Sequence, residues 1–331
     1  MLNFHRFFIF FIFLLVIGCN SVDKDIIKNE ITLDENNELL ILHNNFKYLD
    51  SIDSVLESSI DYNSVKSFEP ISEQLEVYEG VQDDYQYIKL AKDDSSIKGK
   101  ITIENKSEDD LELEHVFFQG ENKVDITLQD DVTYEKVITI TPANQVTELE
   151  VSLEYFDEME SELSYFAQEK TTSSNDLEFN NLERLQLVRF FVTKEELIPE
   201  EQVLDEYELE IREEDIETLD LFPYIEIIEN VSNNNTFINL EVNKLAYPAI
   251  MDIFILDNDY QVVYSFLSIE LEKGKSKEVE LPNDVSELIE NKKMYVLYFT
   301  NRSEELMLDF LAADIGLRPI PTSFQNIKTL N

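Results

Sequence analysis

The best-defined chemistry in this sequence belongs to the thiol of Cys19, the single cysteine among 331 residues. A cysteine thiolate is a nucleophile that can be acylated, alkylated or oxidised. No disulfide can form within the chain, because it contains no second thiol. Cys19 directly follows Gly18, at the end of an apolar run from Phe7 to Ile17 that begins after Arg6. A basic residue, an apolar run and a small residue in this order are typical of a secretory signal peptide.

The residues Val16-Ile17-Gly18-Cys19 resemble the lipobox of bacterial lipoproteins. The resemblance implies a lipoprotein signal peptide over residues 1–18, cleavage before Cys19, a diacylglyceryl group on its sulfur and acylation of the new amine. It places the protein in the bacterial cell envelope, bound to a membrane through the lipid on Cys19. Asn20 directly follows the cysteine. Asp at this position would imply that the lipoprotein is retained in the inner membrane, so Asn implies the outer membrane if the host has two membranes.

The alternative to a cleaved signal is an uncleaved anchor helix. The apolar run of about eleven residues is shorter than the roughly 20 residues that span a bilayer, which favours the signal peptide. One acyl chain binds a membrane only marginally, whereas two or three hold it stably. We therefore expect lipid attachment at Cys19 rather than a transmembrane helix.

The chain is strongly acidic, with 70 Asp and Glu against 26 Lys and Arg and a formal net charge of -44. Its composition is 43% apolar and 11% aromatic, more than a disordered acidic chain carries. Proteins that bind DNA or RNA have basic surfaces, so we expect no nucleic-acid partner. The excess of Asp and Glu predicts one of two things: a solvated surface, or a site that binds cations or a basic partner.

Patterns of catalytic or metal-ligating residues are missing from the sequence. His43 and His115 have no paired spacing, and the six glycines form neither a phosphate loop nor a nucleophile elbow. We expect no catalytic residue, no cofactor and no metal site, and thus a protein that is not an enzyme. Asp257, Asn258 and Asp259 offer oxygen atoms to a calcium ion, but ordinary turns prefer the same residues. As a turn they predict a β-hairpin of the strands Ile250 to Leu256 and Tyr260 to Leu267.

Two alternatives to a binding module follow from the acidic composition. The first is a membrane-anchored hydrolase that uses paired carboxylates, because such pairs leave no signal in sequence spacing. The second is a cation-binding surface module. Both would share the same anchor at Cys19.

The elements that must position these residues are predicted to be mainly strands. A lipidated tether over 19–38 precedes apolar residues at three- and four-residue steps, which predict an amphipathic helix over 39–60. Short apolar or alternating runs then predict a first β-sandwich-like domain over 61–170. Within it, the alternation over Ile97–Ile103 resumes at Leu111 after a polar loop, which predicts a β-hairpin.

The rest of the chain follows the same pattern. Residues 171–222 are predicted to form an acidic connector with partial strands, 223–318 a second β-sandwich-like domain, and 319–331 a tail. Asp284 and Glu287 predict the start of a short helix, and Glu304–Ile315 a final helix closed by Gly316. The predicted fold class is mainly β, with two β-sandwich-like, immunoglobulin-like domains and a few short helices.

Residues Leu245 to Ala312 resemble an uncharacterised bacterial β-sandwich family found in exported and signalling proteins. The similar pieces are Tyr247 to Phe254, the acidic turn at Asp257, and Leu271 to Lys275 leading to Leu281-Pro282, although the family's usual glycine in the hairpin turn is absent. The resemblance implies a sandwich without a catalytic motif. We expect a lipid-anchored envelope protein whose tether presents acidic domains to an envelope protein partner, as a binding or structural module.

Overall fold

The computed structural model describes the chain over residues 31–33, 39–43, 64–79, 84–128, 131–154, 161–169, 188–195, 218–220, 223–232, 235–289, 294–302 and 315–320. The signal peptide, Cys19 and most of the predicted tether lie outside these residues. The predicted helix over Glu304–Ile315 also lies outside them, except for Ile315. Within the described part, the chain forms strands and one short helix, α1 (Asn283–Ile289), so the prediction of a mainly β fold is confirmed.

The strands form four sheets, which we number I to IV. Sheet I has the order β10 (Thr133–Tyr134), β9 (Ile126–Thr127), β12 (Gln145–Glu154), β6 (Ser96–Asn105) and β3 (Ser64–Pro70). Sheet II has the order β1 (Ile31–Leu33), β2 (Leu39–His43), β11 (Lys136–Thr141), β7 (Leu111–Gln119), β13 (Glu162–Glu169), β14 (Val188–Thr193), β5 (Asp84–Lys89) and β4 (Leu75–Glu79), and β8 (Asn122–Val124) also pairs with β7.

The remaining two sheets come from the second half of the chain. Sheet III has the order β18 (Val262–Leu271), β17 (Ala249–Leu256), β20 (Met294–Thr300) and β21 (Ile315–Ile320). Sheet IV has the order β15 (Ile225–Ser232), β16 (Asn235–Val242) and β19 (Lys277–Glu280). The described strands pair antiparallel throughout these two sheets.

Strand β7 shows how the layers stack, because it is buried on both faces. Leu113 and Phe117 pack in the core between sheets I and II, together with Ile101 of β6. Val116 and Phe118 pack on the opposite face, against residues of sheet III. Successive side chains of a strand point to opposite faces, so each face of β7 meets a different sheet.

The same alternation in β17 places sheet III between sheets II and IV. Met251 and Ile253 belong to the core shared with Leu240 of sheet IV. Phe254 and Leu256 belong to the core shared with sheet II. The described chain is therefore a stack of layers in the order I, II, III and IV, with a buried apolar core between each neighbouring pair.

The start of the helix predicted over 39–60 is wrong. Residues Leu39–His43 form β2, which pairs parallel with β11 and antiparallel with β1. Leu40 and Leu42 are buried in the core of sheets I and II, at the two-residue spacing of a strand. Strand β1 also means that residues 31–33 of the predicted tether are part of sheet II. The remainder of the predicted helix lies outside the described residues.

The hairpin predicted from the alternation around residues 97–113 is also wrong, although both strands exist. β6 pairs with β12 and β3 in sheet I, whereas β7 pairs with β11 and β13 in sheet II. The side chain of Asn105 explains the crossing between sheets, because its Nδ2 donates to Thr141 O at 3.0 Å and Asp109 O at 2.8 Å. These bonds fix the loop as an arch that leads from one sheet to the other.

Strand β14 lies in the region predicted as an acidic connector with partial strands, and it is an interior strand of sheet II between β13 and β5. One further prediction is wrong. Residues Ile315–Ile320, predicted to end a helix and begin the tail, form edge strand β21 beside β20. Pro319 is compatible with this position, since proline is tolerated on edge strands. The helix predicted near Asp284 is confirmed as α1, with Asp284 in its first turn.

Candidate functional site

The predicted lipidation site, Cys19, lies outside the described residues, so lipidation stays a prediction. The acidic turn at Asp257 is described, and its hairpin between β17 and β18 is confirmed. Asp257 Oδ1 accepts hydrogen bonds from the backbone N–H of Asp259 at 3.0 Å and of Gln261 at 2.9 Å. The carboxylate therefore stabilises the turn itself, as aspartate does in ordinary turns. Within the described residues, no group of three or more His, Cys, Asp or Glu side chains is arranged to hold a metal ion.

The last residue of this turn, Tyr260, has a backbone φ of 61°, in the left-handed region. A bulky residue with positive φ is a genuine outlier, and the turn would ordinarily carry glycine there. The Tyr260 side chain is fully buried between sheets II and III, with its ring 5.8 Å from Phe166 and 5.1 Å from Tyr295. The packing of this ring compensates for the strained backbone, which accounts for the missing glycine.

Lys123 joins the turn to sheet II. Its Nζ donates to the backbone oxygen of Asp259 at 2.9 Å and lies 5.9 Å from the centroid of the Tyr260 ring. Burial lowers the pKa of Lys123, while the nearby carboxylate of Glu114 partly offsets that effect. Burial also raises the pKa of Tyr260, so the phenol stays neutral. This group of side chains provides packing and a cross-sheet hydrogen bond.

A second polar cluster between sheets II and III is built around Glu162 at the start of β13. Glu162 Oε2 lies 2.7 Å from Arg189 Nη2 and 3.6 Å from Arg302 Nε, and Oε1 accepts a hydrogen bond from Ser164. Arg302 Nη1 also lies 3.0 Å from Asp252 Oδ2, and Arg189 Nη1 donates to a backbone oxygen of β20 at 2.7 Å. Glu162 and Arg189 side chains are each only 5% exposed. We call Glu162, Arg189, Asp252 and Arg302 the junction cluster.

Aromatic rings of sheet III hold the two guanidinium groups in place. The Arg302 guanidinium lies 5.4 Å from the Phe254 ring centroid and 5.5 Å from that of Phe299, and Arg189 lies 5.6 Å from Phe299. Arg302 is positioned by its neighbour Asn301, whose backbone N–H donates to Ile250 O at 2.7 Å and whose Oδ1 accepts from Ile250 N. Cations over desolvated aromatic faces gain electrostatic energy in addition to their ion pairs.

The two buried carboxylates of the described residues, Glu114 and Glu162, each face a cation. Lys136 Nζ lies 3.5 Å from Glu114 Oε2, and Glu162 belongs to the junction cluster. In both cases the cation offsets part of the cost of burying a charge. The Glu114 pair lies within sheet II, between neighbouring strands β7 and β11, whereas the Glu162 pair is part of the contact between sheets II and III.

His115 lies on the other face of sheet II and is completely buried. Its Nδ1 is 3.0 Å from Tyr165 Oη and its Nε2 is 2.8 Å from Thr139 Oγ1. Burial, followed by the positive charge of Lys66, lowers the pKa of His115 to about 3. The imidazole is therefore neutral, and it satisfies two hydroxyl groups inside the core, as expected for a structural residue of a sheet.

The sequence alone did not point to the junction cluster. Its members are spread from residue 162 to residue 302, and no spacing connects them. One weak signal was present: the chain has only six arginines, and two of them meet at Glu162. Arginine is favoured over lysine in buried ion pairs because its planar group forms several hydrogen bonds at fixed angles.

Comparison with known proteins gives no family. No protein-family model matches the chain. No curated protein matches it either.

Within the described residues, no helix has the length and hydropathy needed to cross a membrane.

Solved structures are only distantly similar. A red sea bream transglutaminase is 9% identical with a TM-score of 0.18, and the match covers 75% of this chain and 31% of that enzyme. The E. coli chaperone DraB is 7% identical with a TM-score of 0.23, covering 69% of this chain and 89% of the chaperone. The calcium binding domain CBD12 of CALX1.1 is 8% identical with a TM-score of 0.20, covering 65% and 76%. Similarities at this level carry no argument about activity.

Proposed function

We propose that this protein is a lipid-anchored component of the bacterial cell envelope that acts as a binding or structural module for an envelope protein partner. The lipid on Cys19 would hold it to a membrane, the outer one if the host has two. The residues between Cys19 and sheet II would set how far the folded layers stand from that membrane.

The observation that carries this proposal is the buried junction between sheets II and III. The aromatic core around Tyr260 and the junction cluster hold the layers of both halves in one fixed arrangement. A buried apolar contact with paired charges resists relative motion, since separating the layers would expose apolar surface and leave buried ions unpaired. A rigid body on a lipid anchor is suited to presenting a binding surface at a defined height.

The charge of the chain supports a basic partner. A net charge of -44 creates a negative field that attracts cationic surfaces and repels anionic ones. Electrostatic complementarity of this kind chiefly raises the rate of association and excludes wrong partners. We therefore propose a partner with a basic contact surface, and binding that weakens as salt is added.

The experiment combines fatty-acid labelling with crosslinking in intact envelopes. We expect the wild-type chain to incorporate labelled fatty acid and to crosslink reproducibly to a basic envelope protein. The variant Cys19→Ser should lose the label and the crosslink, because the lipid is attached through the thiol. A labelled Cys19→Ser protein would refute the anchor, and a wild-type chain without any reproducible partner would refute the binding role.

A further inference from the structure

The sheet edges of this protein differ in how they are protected against pairing with another strand. Natural edge strands are kept from pairing by short length, charged residues, proline or bulges. Most described edges have such protection: β1, β4, β10 and β19 are five residues or shorter. The three longer ones carry charges or proline, as in Lys66 and Pro70 of β3, Glu226 and Glu229 of β15, and Arg318 and Pro319 of β21.

Strand β18 at the edge of sheet III differs from the other described long edges, because bulges are its main protection. It is ten residues long, contains no lysine, arginine or proline, and has Glu270 as its one charged residue. Within the described residues it pairs with β17 on one side and with no strand on the other. Two register shifts against β17 bend it, and one of them is stabilised by Ser268 N, which donates to Asp252 Oδ1 at 2.6 Å. These bulges bend β18 without adding charge to it.

The side chains of β18 are apolar and only partly covered. Leu267 is 52% exposed and Val263 is 38% exposed. Tyr264 and Phe266 are half-buried at the margin of the core between sheets III and IV, with their rings 5.0 Å apart. An additional strand beside β18 would cover these side chains and would pair with backbone groups that face no other strand within the described residues.

We propose that β18 is the docking edge for an extended, apolar segment of a partner protein, flanked by lysine or arginine, which adds to sheet III as a further strand. This proposal deepens the proposed binding role and names its surface. The apolar part of the segment would cover Leu267, Val263 and the half-buried rings. A basic flank would face the acidic turn at Asp257 and Asp259, whereas the other end of β18 carries both charges, with Glu270 and Glu272 beside Lys273, Lys275 and Lys277.

Charge favours such a partner over a second copy of this chain. Two copies joined at β18 would bring together two chains that each carry a net charge of -44. Like charges disfavour that association, whereas a basic segment gains from the same field. Self-association through β18 is therefore an outcome that the test must detect.

The test measures binding of a fluorescent peptide to the purified full-length protein. The peptide matches β18 in length, alternates valine with threonine and carries lysines at both ends. A second peptide has the same charges but a proline in place of its central valine, which prevents strand pairing. We expect the first peptide to bind at least about tenfold more tightly than the second, because charge attraction alone would not distinguish them.

Matched variants locate the binding surface. Leu267→Gln removes an exposed leucine from β18, and Leu288→Gln removes a leucine of α1 that is 39% exposed. Because both residues are on the surface, both variants should fold. We expect Leu267→Gln to weaken peptide binding by about tenfold, as the loss of one buried leucine predicts, and Leu288→Gln to leave it unchanged.

Four results would overturn the proposal, and the last of them leaves the proposed envelope role intact. The first is equal binding of the two peptides, and the second is equal effects of the two variants. The third is a sedimenting dimer of the protein that Leu267→Gln abolishes, which would assign the edge to a second copy. The proposed envelope role is tested separately by crosslinking. If Leu267→Gln still crosslinks reproducibly to the same partner, the binding role is supported and docking at β18 is rejected.

Discussion

Replacing His115 by glutamine should change how the stability of this protein depends on pH. The imidazole is completely buried against Tyr165 Oη and Thr139 Oγ1, and burial lowers its pKa from 6.5 to about 3. Between those two values, the unfolded chain binds a proton at His115 and the folded protein does not. The stability that the neutral imidazole contributes is thus complete above pH 6.5 and is lost as the pH falls toward 3.

The size of the effect follows from the two pKa values. One unit of pKa difference corresponds to about 1.4 kcal/mol, so His115 should cost the folded state about 2 kcal/mol between pH 7 and pH 5. By pH 3 the loss should reach about 4 kcal/mol. The many carboxylates of the chain also titrate in this range, but they are common to the wild type and the variant.

The assay is urea denaturation of both proteins at pH 7, 6 and 5, followed by tyrosine fluorescence, since the chain has no tryptophan. His115→Gln will be less stable at pH 7, because the replacement disturbs two buried hydrogen bonds. The stability gap between the two proteins should shrink by about 2 kcal/mol on going to pH 5. A gap that stays constant would refute the reasoning, because it would mean that His115 titrates alike in both states.

Two other substitutions probe the contact between sheets II and III. Glu162→Gln should lower the free energy of unfolding by about 3 kcal/mol, because it leaves Arg189 buried without its counter-ion. The control Glu148→Gln, which removes a partly exposed pair with Lys100, should cost about 1 kcal/mol or less, and equal losses would contradict a buried junction. Tyr260→Gly should also destabilise, by about 2 kcal/mol, since the lost ring packing exceeds the relief of positive-φ strain. Thermal melting decides the sign, and a stabilised glycine variant would show that backbone strain dominates.

Much of the β structure was predictable because it depends on local patterns. The alternation of apolar and polar residues from Ile97 to Ile103 predicts a strand with one buried face, and this strand is β6. The apolar run from Met294 to Phe299 coincides with β20. The acidic turn at Asp257 closes the predicted hairpin because its carboxylate bonds to two backbone N–H groups. Each of these features is determined within a few residues of chain.

The pairing of strands was harder to predict, because partners are chosen at long range. β6 and β7 are neighbours in sequence, yet the bonds of Asn105 turn the loop between them into an arch. The segment Leu39–His43 has apolar residues that suit either a helix stripe or a strand, and pairing with β11 selects the strand. Context of this kind overrides local propensity.

The junction cluster was out of reach of sequence analysis for a different reason. Glu162 and Arg302 are separated by most of the second half of the chain, and their types are common on surfaces. What makes them special is burial between two layers, which depends on the complete stack. The lipobox around Cys19 lies at the other extreme, because its entire signal is contained in a short segment.

The burial of β7 on both faces has a consequence for how the protein is made. Val116 and Phe118 are covered by Phe254 and Leu297, which are synthesised long after them. Ribosomes make proteins from the N-terminus, so the strands of sheets I and II are made before most of sheet III, and the outer face of β7 stays exposed until sheet III forms. During that interval the incomplete chain exposes an apolar surface that sheet III covers in the finished protein. We therefore expect this protein to be prone to aggregation until its second half has been made.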